Sequence, residues 1–504
     1  MFQVRRNVLA NAAGQAIPAA LAVVLIPFYL RFLGPEGYGI VAFTASLQAI
    51  LSTLDLGLGT TANREVARLR PSEGHRISAL IRTLEIVYVF VGFVLASGVV
   101  LSAGFVAAHL VNATETPPAT VELAIQIAGV TLGLRWPLAL YAGVLRGIER
   151  QVVLNSVMAG ASVARGLGAI LVLALVSPTV TAFLWWTLAV GVAETVVLGL
   201  SAWRLVPESS VARRFDPAVL RGIWRFSLQI SAISIFAAIL KQMDKVLVAA
   251  LLPLEQLGYY SVAWSVAQAL LFPAVAISTA IFPRLTVLLS AGKVEEAAGL
   301  FHSASRSVSF IVAPAAALLI FFSRDLLLLW TRSPDVAASA HLTLTVLASA
   351  LLLNAMMQVP NALQLAAGLT WLPLTHNGIS VLVLTPITYV LVSRFGILGA
   401  GFSWAIFNGS YYFVIPHIIH RHVMRGHLAR WIGRDTMLYA LGGIAAVGTT
   451  ALLTQGVAGS PWRLIAPVFA VAAYAAVLWP GRSTFLQGPR GPVEGPSATE
   501  GVPS

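Results

Sequence analysis

Charged side chains stand where long apolar runs place them at bilayer depth: the cations Arg135, Arg165, Lys241 and Lys245, and the acids Asp55, Glu194 and Asp244. An isolated cation there costs about 2.5–3.5 kcal/mol even on the lenient insertion scale, so each must face protein or water. Two kinds of chemistry meet that demand. One is an intramembrane ion pair, for which Glu194 lies at a depth comparable to Arg165; the other is contact with a charged or polar cargo.

Uncharged polar residues recur beside these charges at helical spacing. Residues three and four apart share a helix face, so Asn7, Asn11 and Gln15 form one strip, and Thr44, Gln48, Ser52 and Asp55 a second. Ser227, Ser231, Ser234, Lys241 and Lys245, with Asp244 beside them, form a third; Ser261, Ser265 and Gln268 form a fourth. Four such strips can line one water-filled cleft. For any single Ser or Thr, hydrogen bonding between packed helices is the simpler account. Asn354, Gln358 and Asn361 share a further face, read as packing first and cleft lining second.

The elements that must position these residues are membrane helices. The chain has 504 residues, 58% hydrophobic and only 10% charged, far more apolar than a soluble domain. Apolar runs of about 20 residues recur along nearly the whole length, giving about fourteen spans. They lie near 8–30, 38–62, 79–105, 121–145, 152–175, 180–203, 223–252, 258–283, 304–323, 338–366, 372–393, 397–419, 436–454 and 462–480. The fold class expected is an all-α polytopic membrane protein. The first span lacks a cleavage signature and reads as an uncleaved helix.

Sorting the basic residues tests this layout. One set of alternate loops and termini carries Arg5, Arg6, Arg64, Arg68, Arg70, Arg76, Arg82 and many more, while the other carries Arg31, Arg324, Arg332, Arg394 and Arg463. Positive charge accumulates on the cytoplasmic side, so both termini are placed in the cytoplasm. The formal charge of +12 is thereby read as topology and not as a nucleic-acid footprint. The absence of Cys excludes disulfides and thiolate chemistry.

Gly37-Tyr38-Gly39 lies over Gly258-Tyr259-Tyr260 at an offset of roughly 221, each at the start of the second helix of its half. This predicts two six-helix bundles, 1–205 and 223–420, related by a parallel repeat. A cytoplasmic linker at 206–222, two further spans at 421–480 and a disordered cytoplasmic tail at 481–504 complete the organisation.

Several motifs carry no function here. Gly57 to Ala62 fits a dinucleotide fingerprint formally, but it ends a membrane helix and no strand precedes it; no Walker A sequence occurs. His417, His420, His422 and His427 read as a basic interfacial rim rather than a metal site. Loops are too short for a soluble catalytic domain, which argues against a membrane glycosyltransferase, polymerase or ligase.

The motifs FYLRFLGPEGYG, LSTLDLGLG and NREVARL in the first half, with KQMDKVLVA, LGYYSVAWSVAQ and IFPRL in the second, resemble a known signature. It is that of Wzx-type polysaccharide and O-antigen flippases of the multidrug/oligosaccharidyl-lipid/polysaccharide (MOP) exporter superfamily. The resemblance implies a cavity lined by the first, second, seventh and eighth helices. It also implies a cargo: an oligosaccharide on a polyprenyl diphosphate, moved from the cytoplasmic to the outer leaflet of a bacterial inner membrane. Arg135, Arg165, Lys241 and Lys245 would then meet the diphosphate, while Asn11, Gln15, Gln48, Ser234 and Gln268 meet sugar hydroxyls. Asp55, Asp244 and Glu194 become candidates for H+ or Na+ coupling, with no metal or other cofactor, no catalytic residue and no enzyme activity expected. A polysaccharide polymerase and chain-length proteins are the protein partners expected. A lipid II flippase and a cation-coupled multidrug exporter of the same superfamily are the alternatives, although cations inside the spans disfavour cationic drugs.

Overall fold

A computed structural model describes residues 17–18, 20–55, 57–69, 74–206, 239–457 and 462–479. The described residues are overwhelmingly helical, as a chain whose backbone polar groups must be satisfied inside hydrocarbon requires. Among them, nine helices are long and apolar enough to cross a membrane. Asn11, Gln15 and Ser234, the 206–222 linker from residue 207 onward and the 481–504 tail lie outside the described residues.

The described residues of Met1–Ala269, Ser323–Ala350 and Trp371–Phe407 form one compact unit, and those of Leu270–Phe322, Leu351–Thr370 and Asn408–Ser504 a second. The first unit opens with α1 (Ile26–Ser52), α2 (Leu58–Arg68), α3 (Gly74–His109), α4 (Pro118–Arg135), α5 (Leu138–Gly147), α6 (Gln151–Leu175) and α7 (Val180–Leu205). It continues with α8, helical over 239–251, and α9 (Leu254–Ala267). The second unit holds α10 (Leu271–Ser290) and α11 (Val294–Phe321). After α12 (Ser323–Thr331) come α13 (Pro334–Ala366), α14 (Trp371–Phe395) and α15 (Ile397–His422), of which α13 and α15 each contribute residues to both units. A π-helical turn at Trp431–Met437, α16 (Leu438–Leu453) and α17 (Trp462–Leu478) complete the second unit.

Three expected spans are broken where the apolar pattern predicts one continuous helix. The 38–62 run ends as a 3-10 turn at Thr53–Asp55, after which Gly57 takes φ +64 as the N-cap of α2. The 121–145 run divides between Arg135 and Leu138 at Trp136 and Pro137, because proline cannot continue the hydrogen-bond ladder. The 258–283 run is interrupted by a 3-10 turn at Gln268–Leu270. Apolarity reports membrane depth along the chain, but it is blind to a one-turn break.

The two segments related by the internal repeat touch each other. A Cβ on Gly39 would run into the Leu254 carbonyl oxygen, and one on Gly258 would run into that of Pro35, so α1 and α9 approach at backbone distance. Beside this crossing Gly34 bends the chain at φ +68, and the Glu36 carboxylate accepts hydrogen bonds from the loop before α4. The donors are the Thr114 amide and hydroxyl at 3.1 and 2.7 Å, the Glu115 amide at 3.0 Å and the Thr116 amide at 2.7 Å. The same loop is tied to the start of α9, since Leu254 donates its amide to the Asn112 carbonyl at 2.9 Å.

Burial pushes the Glu36 carboxyl up, but the hydrogen bonds from Thr114, Thr116 and Glu115 outweigh it and hold it at about 2, against an ordinary 4.5. A carboxyl whose pKa is depressed by folding contributes stability that is present above the unfolded value and lost as pH falls through the folded one. The thermal midpoint of the full-length protein should therefore decline between pH 4.5 and about 2. Glu36→Gln should start lower and stay flat across that window; parallel profiles for the two proteins would exclude this role.

Candidate functional site

Several polar groups of the first unit converge on a cavity of about 370 Å3 lined by Gln48, Ser52, Asp55, Leu132, Arg135 and Trp136 among others. Gln48 and Ser52 stand on the last turns of α1, and Gln48 is oriented by donating its amide to the Ala128 carbonyl of α4 at 3.2 Å. Asp55 reaches the cavity because the helix stops there. One carboxylate oxygen accepts the Gly59 amide of α2 at 3.3 Å and the other accepts the Tyr88 hydroxyl of α3. An acid at a helix N-terminus meets exposed amides and the positive end of the dipole, which offsets its partial removal from water.

Arg135 occupies the last turn of α4, where carbonyls without intrahelical partners favour a cation. Its Nη2 lies 3.2 Å from Glu194 Oε2 of α7, and Arg165 Nη2 of α6 lies 2.6 Å from the same oxygen. The Glu194 side chain is only 4% exposed, whereas those of Arg135 and Arg165 are 28% and 27% exposed. Gly191, one turn before Glu194, makes room: a Cβ there would come within 2.5 Å of Arg135 Cδ. The result is one buried carboxylate shared by two guanidiniums, a cluster with one uncompensated positive charge, and Arg135 forms part of the cavity wall. The sequence pointed to pairing of Glu194 with Arg165; the second partner, Arg135, emerges from the packing of α4 on α7.

A separate buried centre lies in the same unit around Asp244 of α8, which is 2% exposed. Its Oδ2 accepts the Tyr260 hydroxyl and, at 2.9 Å, the Trp404 indole N–H, while Oδ1 is buried without a partner. Asp244 borders a pocket of about 20 Å3 also lined by Thr388 and Ser403, and the Thr388 hydroxyl is likewise buried without a partner. This volume exceeds the ~10–15 Å3 one water-sized particle needs. Lys245 turns elsewhere: its Nζ lies 3.4 Å from Gln242 Oε1 and 5.4 Å from the Trp264 ring centroid.

The structure thus brings Gln48, Asp55, Arg135, Arg165 and Glu194 into one connected region and sets Asp244 and Lys245 in another. Lys241 is exposed, and Gln268 marks the break after α9. In the second unit Asn354 donates to Asn408 Oδ1 at 2.6 Å and Gln358 to Asn354 Oδ1 at 2.9 Å, so this strip packs helix against helix. Tyr88, Tyr260 and Trp404, which hold the two acids, escaped the sequence reading. Aromatic residues on separate helices carry no local signal that they meet an acid.

Fold and charge placement define a class first: a polytopic helical transporter with ionised groups held inside its membrane helices. Residues 4–289 match the family described as polysaccharide biosynthesis protein, and residues 230–390 match MatE. The first match covers more than half the chain, and the chain belongs to that family. A Shigella flexneri protein named "Putative O-antigen transporter" is 22% identical over 408 residues, spanning 80% of this chain and 94% of that protein. Among solved structures, lipid II flippase MurJ in an inward closed conformation superimposes with TM-score 0.73 at 11% identity, over 94% of this chain and 99% of that one. An inward-facing multidrug resistance MATE family transporter of the MOP superfamily gives TM-score 0.61 at 16% identity, over 89% and 99%. Likeness at these identities concerns the fold alone.

Proposed function

We propose that this protein flips a polyprenyl-diphosphate-linked oligosaccharide from the cytoplasmic to the outer leaflet of the bacterial inner membrane, supplying polysaccharide export. The observation that carries this reading is the cluster of two guanidiniums on one buried carboxylate, with Arg135 on the wall of a cavity large enough for polar head-group atoms. A diphosphate brings the negative charge that the cluster lacks, and guanidinium binds phosphate oxygens through paired N–H donors. Gln48 and Asp55 on the same wall offer the donor and acceptor that sugar hydroxyls need. Lys241, Lys245 and Gln268 extend the polar path in this reading, with Asn11, Gln15 and Ser234 from the helices outside the described residues. Alternating access of two bundles moves the head group while the lipid tail stays in the bilayer.

Among the three acids, Asp244 is the best placed to couple transport to H+ or Na+, because it alone presents a buried, unpartnered oxygen beside a pocket of ion size. Glu194 is committed to its two arginines, and Asp55 to Tyr88 and the Gly59 amide of α2.

The test is Arg135→Gln in full-length protein reconstituted into vesicles with a lipid diphosphate-linked oligosaccharide. Arg165 still neutralises Glu194 in this variant, so the thermal midpoint should hold while flipping falls at least tenfold, about 1.4 kcal/mol of lost interaction. Undiminished flipping by R135Q would remove the guanidinium from the cargo path. Flipping of lipid II at an equal or higher rate would move the assignment to the cell-wall precursor, which shares the diphosphate and differs in its sugars.

A further inference from the structure

One chain of titratable groups in the second unit has no part in the cargo path. His302 of α11 is 1% exposed and its Nδ1 meets Asp435 Oδ2 within the π-helical turn. His302 Nε2 lies 2.9 Å from Nδ1 of His427, and His427 Nε2 lies 3.9 Å from the exposed Glu295 carboxylate. Asp435 is itself fully buried, and its other oxygen lies 3.4 Å from Arg306 Nη1. The groups therefore run in a line from the surface to a buried carboxylate, hydrogen-bonded from His427 inward: Glu295, His427, His302, Asp435.

The partners dictate the order of protons. The Asp435 carboxylate can only accept, so His302 carries its proton on Nδ1 and its Nε2 is an acceptor. His427 must then donate from Nδ1, which leaves its Nε2 as a lone pair facing Glu295 and water. A proton arriving at His427 Nε2 turns that ring into a cation without disturbing any bond in the line. The shared proton between the rings can shift to His302 Nε2, which carries the positive charge next to Asp435. A second proton leaves both imidazoles cationic, and the 2.9 Å contact then sets N–H against N–H.

Other charges near the line reinforce this asymmetry. On α11 Arg306 faces Asp435, and Glu296 is engaged by Lys293, with Arg284 of α10 nearby. On α15 the buried His420 lies across the Phe301 ring, centroids 5.6 Å apart, with Nε2 unpartnered; His417 is exposed. Arg430 just before the turn and Arg434 within it are exposed, and α16 contributes the Tyr439 hydroxyl. The positive groups outnumber the acids, so like-charge repulsion opposes each added proton, and two imidazolium rings are accommodated only by separating them.

We propose that His302, His427 and Asp435 form a proton-binding latch that fastens residues 427–437 to α11 and releases them when both imidazoles are protonated. A π-turn is a register shift within a helix and a natural point of movement, and this one leads into α16, which packs against α11. Acidification on the side that bears this turn thus loosens the C-terminal helices from α11 within the second unit, independently of what the transporter carries.

The test is hydrogen–deuterium exchange of full-length protein in nanodiscs, with labelling times corrected for the intrinsic pH dependence of exchange. Protection of residues 427–437 in the wild-type chain should fall at least tenfold between about pH 8 and 5, the range in which imidazole changes charge. His427 is half-buried, and in His427→Gln the amide still donates to His302 but takes no proton, so protection should persist to the acid end of that range. Flat wild-type protection overturns the latch whether or not the variant folds. A variant that loses protection at the same pH as the wild type overturns it equally.

Discussion

Glu194→Ala is expected to lower the stability of the folded protein by about 3–5 kcal/mol, the cost of removing one partner from a buried ion pair. The side chain is 4% exposed and Oε2 accepts from both Arg135 and Arg165, whose Nε groups are already buried without partners. Removing the carboxylate leaves two guanidiniums facing each other with nothing between them. Arg165→Gln should cost less, because Arg135 remains to neutralise Glu194 at 3.2 Å. Exchanging Arg165 and Glu194 with each other should not restore the wild type, since the guanidinium then carried by α7 would confront Arg135. Thermal unfolding of the purified variants decides the matter. Stability of E194A within about 1 kcal/mol of wild type, the range of an exposed pair, would show that the cluster is solvated and unimportant.

Asp244→Asn is expected to abolish the dependence of transport on an ion gradient while leaving the fold in place. Asparagine keeps one oxygen to accept from Tyr260 and Trp404, as Asp244 Oδ2 does now, and turns an N–H2 toward the small pocket. What it loses is the ability to take a proton or to offer a charged ligand oxygen beside the Thr388 hydroxyl. Hard cations select such oxygen donors, and protonation would remove the charge of the unpartnered oxygen. In vesicles with an imposed H+ or Na+ gradient, wild-type flipping should rise with the gradient at least tenfold more than flipping by D244N. Equal responses would end the coupling assignment. A response to only one of the two gradients would name the ion.

The contrast between the two acid sites shows how local signals and packing divide the information. Asp55 and Asp244 look alike along the chain, each a lone acid in an apolar run beside polar residues at helical spacing. In the folded protein Asp55 sits at a helix break and lines an open cavity, whereas Asp244 is enclosed and presents one free oxygen beside a pocket of single-ion size. The difference comes from Gly57, which breaks the helix after Asp55, and from Trp404, which reaches Asp244 from 160 residues away. A glycine turn carries a weak local signal; the indole carries none.

The sequence by itself determined that the chain is a polytopic helical membrane protein, and which charged groups stand within its apolar runs. Those properties depend on the length and apolarity of local runs and on motif order, quantities that need no knowledge of partners. Only the tertiary structure decided that Glu194 serves two arginines, that α1 and α9 press together at Gly39 and Gly258, and that His427 faces inward to His302. Helical periodicity fixes the face on which a side chain lies, but the helix that meets that face is chosen by packing across the whole chain.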